Sequence, residues 1–97
     1  MRIIAKRTCR EFAAENPAAN DALDDWYRKT KDADWANFAE VKQTFNSADY
    51  VGDHRVVFDI KGNHFRLVAL IIFPIRTVLI RFIGTHKAYD KIDCSTI

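Results

Sequence analysis

Apolar and polar residues along this chain follow two different periods, and the change falls near Phe45. Before it the apolar positions recur at helical spacing; after it they alternate or run together as strands do. The opening stretch, residues 2–6 (RIIAK), is a short β-branched run and predicts a first strand. Thr8, with Glu11 three residues on in capping-box spacing, predicts a short helix through Glu15. Asn16-Pro17 restarts the chain. Asn16 suits an N-cap, and Pro17 suits the first helical position, where its missing N–H has no partner to lose. The helix that follows runs to about Thr30 and puts Ala19, Ala22, Leu23, Trp26 and Tyr27 on one face. Trp26 reads as a core anchor of that face. A third short helix over residues 37–44 carries Phe38 and Val41 in one stripe with Phe45.

Beyond Phe45 the pattern is that of a sheet. Residues 55–60 (RVVFDI) predict a strand, and Lys61-Gly62-Asn63 a tight hairpin turn. Residues 65–73 (FRLVALIIF) are apolar on both faces beyond their start, which predicts a central strand. A second turn over 74–77 leads to a strand at 78–84 (VLIRFIG), and residues 85–93 (THKAYDKID) predict a loop and a short terminal helix. The expected fold is α+β: an N-terminal strand and two to three helices packed on one face of a mostly antiparallel sheet, with a short C-terminal helix.

Two successive hairpins fix an expected register. Paired residue numbers sum to about 125 across the first and about 151 across the second, and side chains alternate with period two. One face then holds Val56, Phe58, Ile60, Phe65, Leu67, Ala69, Ile71, Phe73, Val78, Ile80 and Phe82. All are apolar, so this face packs on the helices. The other holds Val57, Asp59, Lys61, Arg66, Val68, Leu70, Ile72, Leu79, Arg81, Ile83 and Thr85. It places Arg66 beside Asp59 and Thr85, and Thr85 leads into His86-Lys87. Arg81 lies on the same face, roughly 13 Å from Arg66 at strand rise. The apolar members of this second face need cover from a partner protein, a terminal segment or a second copy.

Composition narrows the classes. The chain has 97 residues, 48% of them hydrophobic, which suits one domain over residues 1–97 with one core. Two cysteines, Cys9 and Cys94, make neither a disulfide framework nor a zinc site. Neither has a histidine nearby in sequence, so they read as ordinary small side chains. The longest near-continuous apolar run, residues 67–74, is far below the roughly 20 residues of a membrane span. The N-terminus lacks a secretion-signal pattern, so the cytoplasm is the expected compartment. A net charge of +2 conceals an uneven layout. Residues 1–10 carry four bases and no acid. Residues 11–50 carry nine acids against four bases, and residues 51–97 carry seven bases, four acids and all three histidines. A basic, histidine-bearing half is suited to a polyanion.

His86, Lys87, Tyr89 and Asp90 form a dense polar cluster at a strand exit. Histidine exchanges protons near neutral pH. Arginine and lysine hold phosphate and offset charge in a transition state, and tyrosine stacks on bases or moves a proton. The set suits metal-free RNA cleavage, with a 2′-OH attacking the adjacent phosphate, and neither a cofactor nor a metal is expected. Each residue also has a purely structural reading: Arg66 as an ion pair with Asp59, His86 as a cap, Tyr89 as a core contact, Asp90 as a solvated helix residue.

The chain resembles the HigB-type toxins of the wider RelE/ParE group over nearly its whole length. The resemblance is carried by RIIAK, the helices with Trp26, Phe45-x-x-x-Asp49-x-Val51 and RVVFDI. It continues in Gly62-Asn63-His64-Phe65-Arg66-Leu67-Val68 and, most specifically, in Thr85-His86-Lys87-Ala88-Tyr89-Asp90. Ala88 stands where such toxins often carry Glu, and Asp59 where Asn is common. The resemblance implies a RelE-like fold and a ribosome-dependent endoribonuclease (an mRNA interferase) cutting translated mRNA in the A site. It also implies a HigA-type helix-turn-helix antitoxin as partner, with operator DNA bound only through that antitoxin. Carried over residue by residue, Arg66 contacts the scissile phosphate, and His86, Lys87 and Tyr89 supply proton transfer, charge and stacking. Asp90 orients its neighbours, and Arg55, Lys61 and Arg81 bind the RNA backbone. Two alternatives share the fold class or the charge pattern: a ParE-like gyrase inhibitor and a non-catalytic ribosome- or RNA-binding domain.

Overall fold

Arg2–Ile4 forms β1, and the chain turns immediately into helix α1 (Lys6–Glu15). A 3-10 turn over Pro17–Ala19 leads to α2 (Asn20–Asp32), then α3 (Phe38–Thr44). Four strands follow: β2 (Asp49–Gly52), β3 (Arg55–Ile60), β4 (Phe65–Ile72) and β5 (Thr77–Thr85), with a 3-10 turn at Phe73–Ile75 before the last. A short helix, α4 (His86–Tyr89), closes the element list. This computed structural model describes residues 1–93 and Ile97; Cys94 lies outside the described residues. The strands make one sheet in the order β1-β5-β4-β3-β2. β1 is parallel to β5 and every other pairing is antiparallel, so the expected α+β class holds. No helix among the described residues is long and apolar enough to cross a membrane.

The helix starts differ from expectation in instructive ways. Ala5 takes a left-handed conformation (φ 71°) and serves as the N-cap of α1 without a side-chain bond. This reverses the chain right after β1, so the helix begins ahead of Thr8 and the capping box does not form. Thr8 N–H instead donates to Ala5 O (3.0 Å), and Glu11 pairs with Arg7 at 2.8 Å. Asn16 donates its side-chain amide to Phe12 O at 3.1 Å, closing the end of α1. Asn37 does cap α3: its Oδ1 accepts from Glu40 N–H at 3.1 Å, while Glu40 accepts from Ala36 N–H at 2.8 Å. Strand β2 was not expected from the pattern; it exists because its Asp49 and Tyr50 pair with Val57 and Val56.

The helices bury one face of the sheet. Trp26 is 2% exposed and meets Phe58 edge-on at 5.4 Å. Phe45 packs on the same ring at 5.3 Å, and Trp35 stacks beside it at 6.5 Å. The Trp35 indole N–H donates to Thr44 Oγ1 at 3.1 Å, satisfying its one polar atom. Phe58 is therefore the sheet residue on which three helix-side aromatics converge.

The first hairpin has the expected register, with Ile60 opposite Phe65 and Asp59 opposite Arg66. The second does not. Near α4 the pairs are Phe65–Thr85, Arg66–Gly84 and Val68–Phe82, one residue off expectation; beyond a bulge they become Ala69–Ile80 and Ile71–Val78, two residues off. Arg81 is the extra residue, so the alternation of β5 reverses across it. Ile83 thereby enters the core cluster, while Phe82 leaves the core face expected for it and joins Arg66 and Val68 on the face away from the helices, whose central Val57 and Val68 are themselves buried. Phe73 leaves the strand for the 3-10 turn, carried out by Pro74, which donates no ladder bond. The far end of the open face keeps Ile4 and Ile72 exposed. Arg55 there donates to Ile97 O at 2.8 Å, so a terminal residue reaches this face.

Three measurements test this packing. Phe58→Ala is expected to cost about 3–5 kcal/mol in denaturant unfolding, since it empties the centre of the aromatic cluster. Cys9 packs against the core, and burial pushes its thiol up from 9.0 to about 11, partly opposed by Lys6. About one thiol in a thousand is then ionised at pH 8, so Cys9 resists iodoacetamide there and reacts only as pH approaches 11. The sign for stability follows. Below about pH 9 both states are protonated; above it the unfolded thiol ionises first, and Cys9 weakens the fold as pH rises toward 11. Peptide mapping of alkylated protein against pH checks the first statement, and unfolding midpoints against pH check the second.

Candidate active site

The turn joining β3 to β4 and the exit of β5 lie at the same end of the sheet. Lys61 and Gly62 open the turn with positive φ (53° and 62°). Glycine takes that conformation freely, whereas a lysine there costs of order 1 kcal/mol. His64 N–H donates to Lys61 O at 3.2 Å, and the His64 ring contacts the same oxygen through Nδ1 at 2.9 Å. From the other side Thr85 caps α4, its Oγ1 accepting from Ala88 N–H at 3.1 Å. His86 N–H donates to His64 O at 3.4 Å. That bond ties the first residue of α4 to the hairpin turn and brings two distant stretches of sequence together.

Arg66 stands between them. Its Nη1 forms an ion pair with Asp59 at 2.9 Å across the strands. Its Nη2 donates to Asn63 Oδ1 at 2.6 Å, and its guanidinium carbon lies 6.0 Å from the Tyr89 ring centre. The Asp59 contact is one of charge rather than alignment, because the buried Nη1 has no hydrogen-bond partner among the described residues. Arg66 retains 13% side-chain exposure and Asp59 31%. The guanidinium is thus held on two sides at the foot of a partly open site. Gly84, not Thr85, is its neighbour on β5.

On α4, His86 Nδ1 lies 3.3 Å from Asp90 Oδ2, one helical turn away. Both side chains are substantially solvent-accessible. Lys87 is exposed beside them and Tyr89 half-buried. Of the residues selected from sequence, Arg66, His86, Lys87, Tyr89 and Asp90 come together at this end, with Lys61 on the adjoining turn. Arg55 does not join them: it is opposite Leu70, four residues along β4 from Arg66, and is occupied by Ile97 O and Asp53 O. Arg81 sits exposed at the bulge, three residues before Gly84, so roughly 10 Å from the Arg66 row. The structure adds Asn63 and His64, which sequence reasoning quoted only as part of a motif. Their placement beside a tight turn three residues from Arg66 was the available signal.

In this arrangement a carboxylate lies within ion-pair distance of Nδ1, and Nε2 is the ring nitrogen left to exchange a proton. The held guanidinium and the nearby lysines provide positive charge for an anionic substrate.

Comparison with known proteins follows the same line. The family model HigB_toxin, a RelE-like toxic component of a toxin-antitoxin system, matches residues 19–92. A relative from Escherichia coli O6:H1, the mRNA interferase HigB, is 31% identical over 94 residues, covering 95% of this chain and 91% of that protein.

Replacing Asp59 by Asn removes the charge opposite a largely buried arginine while keeping its shape. It is expected to destabilise the fold by about 1 kcal/mol, read as a lowered urea midpoint at unchanged slope. An unchanged midpoint would mean that Asn63 alone suffices to hold Arg66.

Proposed function

This chain belongs to the HigB family of RelE-like toxic components of toxin-antitoxin systems, and on that premise we propose that it is a metal-free endoribonuclease of ribosome-bound mRNA. The observation that carries the reading is the convergence of Arg66, held by Asp59 and Asn63, with the His86–Asp90 pair at one end of the sheet. The name of the Escherichia coli relative, mRNA interferase HigB, supports the same substrate.

The proposed reaction is attack of the ribose 2′-oxygen on the adjacent phosphorus, with the 5′-oxygen of the next nucleotide leaving. A 2′,3′-cyclic phosphate and a 5′-hydroxyl result, so the proton lost by the 2′-oxygen is matched by one gained at the leaving oxygen. His86 exchanges a proton through Nε2 while Asp90 holds Nδ1. Arg66 and Lys87 offset the charge that builds on the phosphate oxygens. Tyr89 supplies a stacking surface beside Arg66. Lys61 contacts RNA backbone near the site, and Arg81 and Arg55 contact backbone or ribosomal RNA farther along the same face. The cognate partner is a HigA-type helix-turn-helix antitoxin, through which operator DNA is reached. The A site of a translating ribosome is the place of action, which sets the compartment as the cytoplasm.

Mapping message 5′ ends after brief induction tests this reading. The expected result is codon-phased cuts that fall at least about a hundredfold in Arg66→Ala and His86→Ala. Both variants remaining fully toxic would overturn the site assignment. DNA damage with intact message would point instead to gyrase inhibition, and ribosome binding without cuts to a non-catalytic module. Equal cleavage of free and ribosome-bound RNA would remove the ribosome from the proposal.

A further inference from the structure

The bulge at Arg81 leaves an aromatic ring where the simple alternation of β5 puts none. Past it, Phe82 pairs with Val68 and Gly84 with Arg66, so Phe82 is the diagonal neighbour of Arg66 on the open face, at about 7–8 Å. Its side chain is half-buried, not sealed in the core. The ring leans toward the Arg66 row: a Cβ built on Gly84 would meet Phe82 Cζ at 2.6 Å and the two Cε atoms at 3.2 and 3.3 Å. The absence of a side chain at Gly84 is therefore what lets the ring lie down over the Gly84 backbone, the β5 position opposite Arg66. Tyr89 approaches the same guanidinium from α4.

We infer that Phe82 is a base-stacking platform, the floor of a subsite for the nucleobase next to the phosphate gripped by Arg66. The inference rests on the RNA-cleavage reading above and extends it to substrate preference. Three features of the placement support it. The ring is partly open on the face that carries the candidate site. It is one diagonal from the group that would hold the phosphate, a spacing suited to a base attached to that phosphate. It is also backed by the rigid central ladder, so little order is lost when a base settles on it. Aromatic stacking tolerates every base but favours the larger ring systems, so the subsite prefers a purine.

The test uses the full chain on programmed ribosomes, with messages differing only in the base flanking the cut. Wild type is expected to favour a purine there. Phe82→Leu, which keeps apolar bulk but has no π-face, is expected to lower the apparent kcat/KM about 5–150-fold and to level the purine preference. Phe82→Trp is expected to keep both within about threefold. Gly84→Ala keeps the aromatic but pushes it off its bed, and is expected to behave like Phe82→Leu while retaining the wild-type melting temperature within a few degrees. A wild-type profile indifferent to the flanking base overturns the inference. So does a Phe82→Leu enzyme that is uniformly slower with its preference intact, the signature of a merely structural residue. If wild type cuts no message at all, the endoribonuclease reading falls first and takes this inference with it.

Discussion

One extra residue in β5 governs where the chemistry of this molecule can sit. Strand alternation is a strict period of two, so a single unpaired residue sends everything beyond it to the opposite face. With Arg81 unpaired, Ile83 packs into the core and Gly84 comes beside Arg66. Without the bulge, Ile83 would stand against the guanidinium and Phe82 would crowd the aromatic cluster. The strand would also deliver Thr85 and the start of α4 in the opposite orientation. The bulge thus couples core packing on one side of the sheet to the composition of the open site on the other. A change that repaired the regular ladder would damage both.

The second constraint is electrostatic. A guanidinium that is largely buried must be held by polar groups or displaced toward water. Asp59 supplies opposite charge across the strand, and Asn63 supplies an acceptor from the turn. Between them they fix the side chain without consuming all five of its donors. The left-handed Lys61 at the mouth of the same turn stores a small strain, as turns near working sites often do. In the proposed reaction such pre-placement matters more than raw charge, because a positioned donor needs no reorganisation when the phosphorane forms. An acid next to Arg66 weakens its net pull on a phosphate; it also keeps the guanidinium from wandering when no substrate is bound.

Much of this was legible in the sequence, for identifiable reasons. RVVFDI occupies the strand predicted for it because β-branched residues, alternation and a Gly-containing turn all agree there. The Asp59–Arg66 pairing followed from the same hairpin arithmetic. The bulge escaped because VLIRFIG is apolar on either side of Arg81, so its alternation carries no parity signal. Ala5 escaped because a left-handed alanine has no sequence mark, whereas the Thr8-x-x-Glu11 spacing mimics a cap that tertiary geometry overrides. Trp35 and Ala48, both buried, sit in connections outside any periodic run, and only the assembled aromatic cluster explains them. The meeting of His64 with His86 depends on the second hairpin's register and so was beyond reach once that register was off.

The charge layout gains its meaning from the layers. Acids and bases balance over α1, α2 and α3, seven of each, on the covered side of the sheet. The opposite face carries Arg66, paired with Asp59, with Arg81 and Lys87 at its edge, so the positive charge at the site is local and small. At physiological salt a field of a few charges fades over about 8 Å. Such a field would orient a polyanion already near the face but gather none from a distance. A free-standing ribonuclease that relied on steering would need a larger basic surface. On the proposed reading, in which the ribosome presents the message, the site needs only enough local charge to seat one phosphate in the correct sense. The small net charge is therefore no argument against the proposed nuclease. It is what a site built for a substrate already held in place requires.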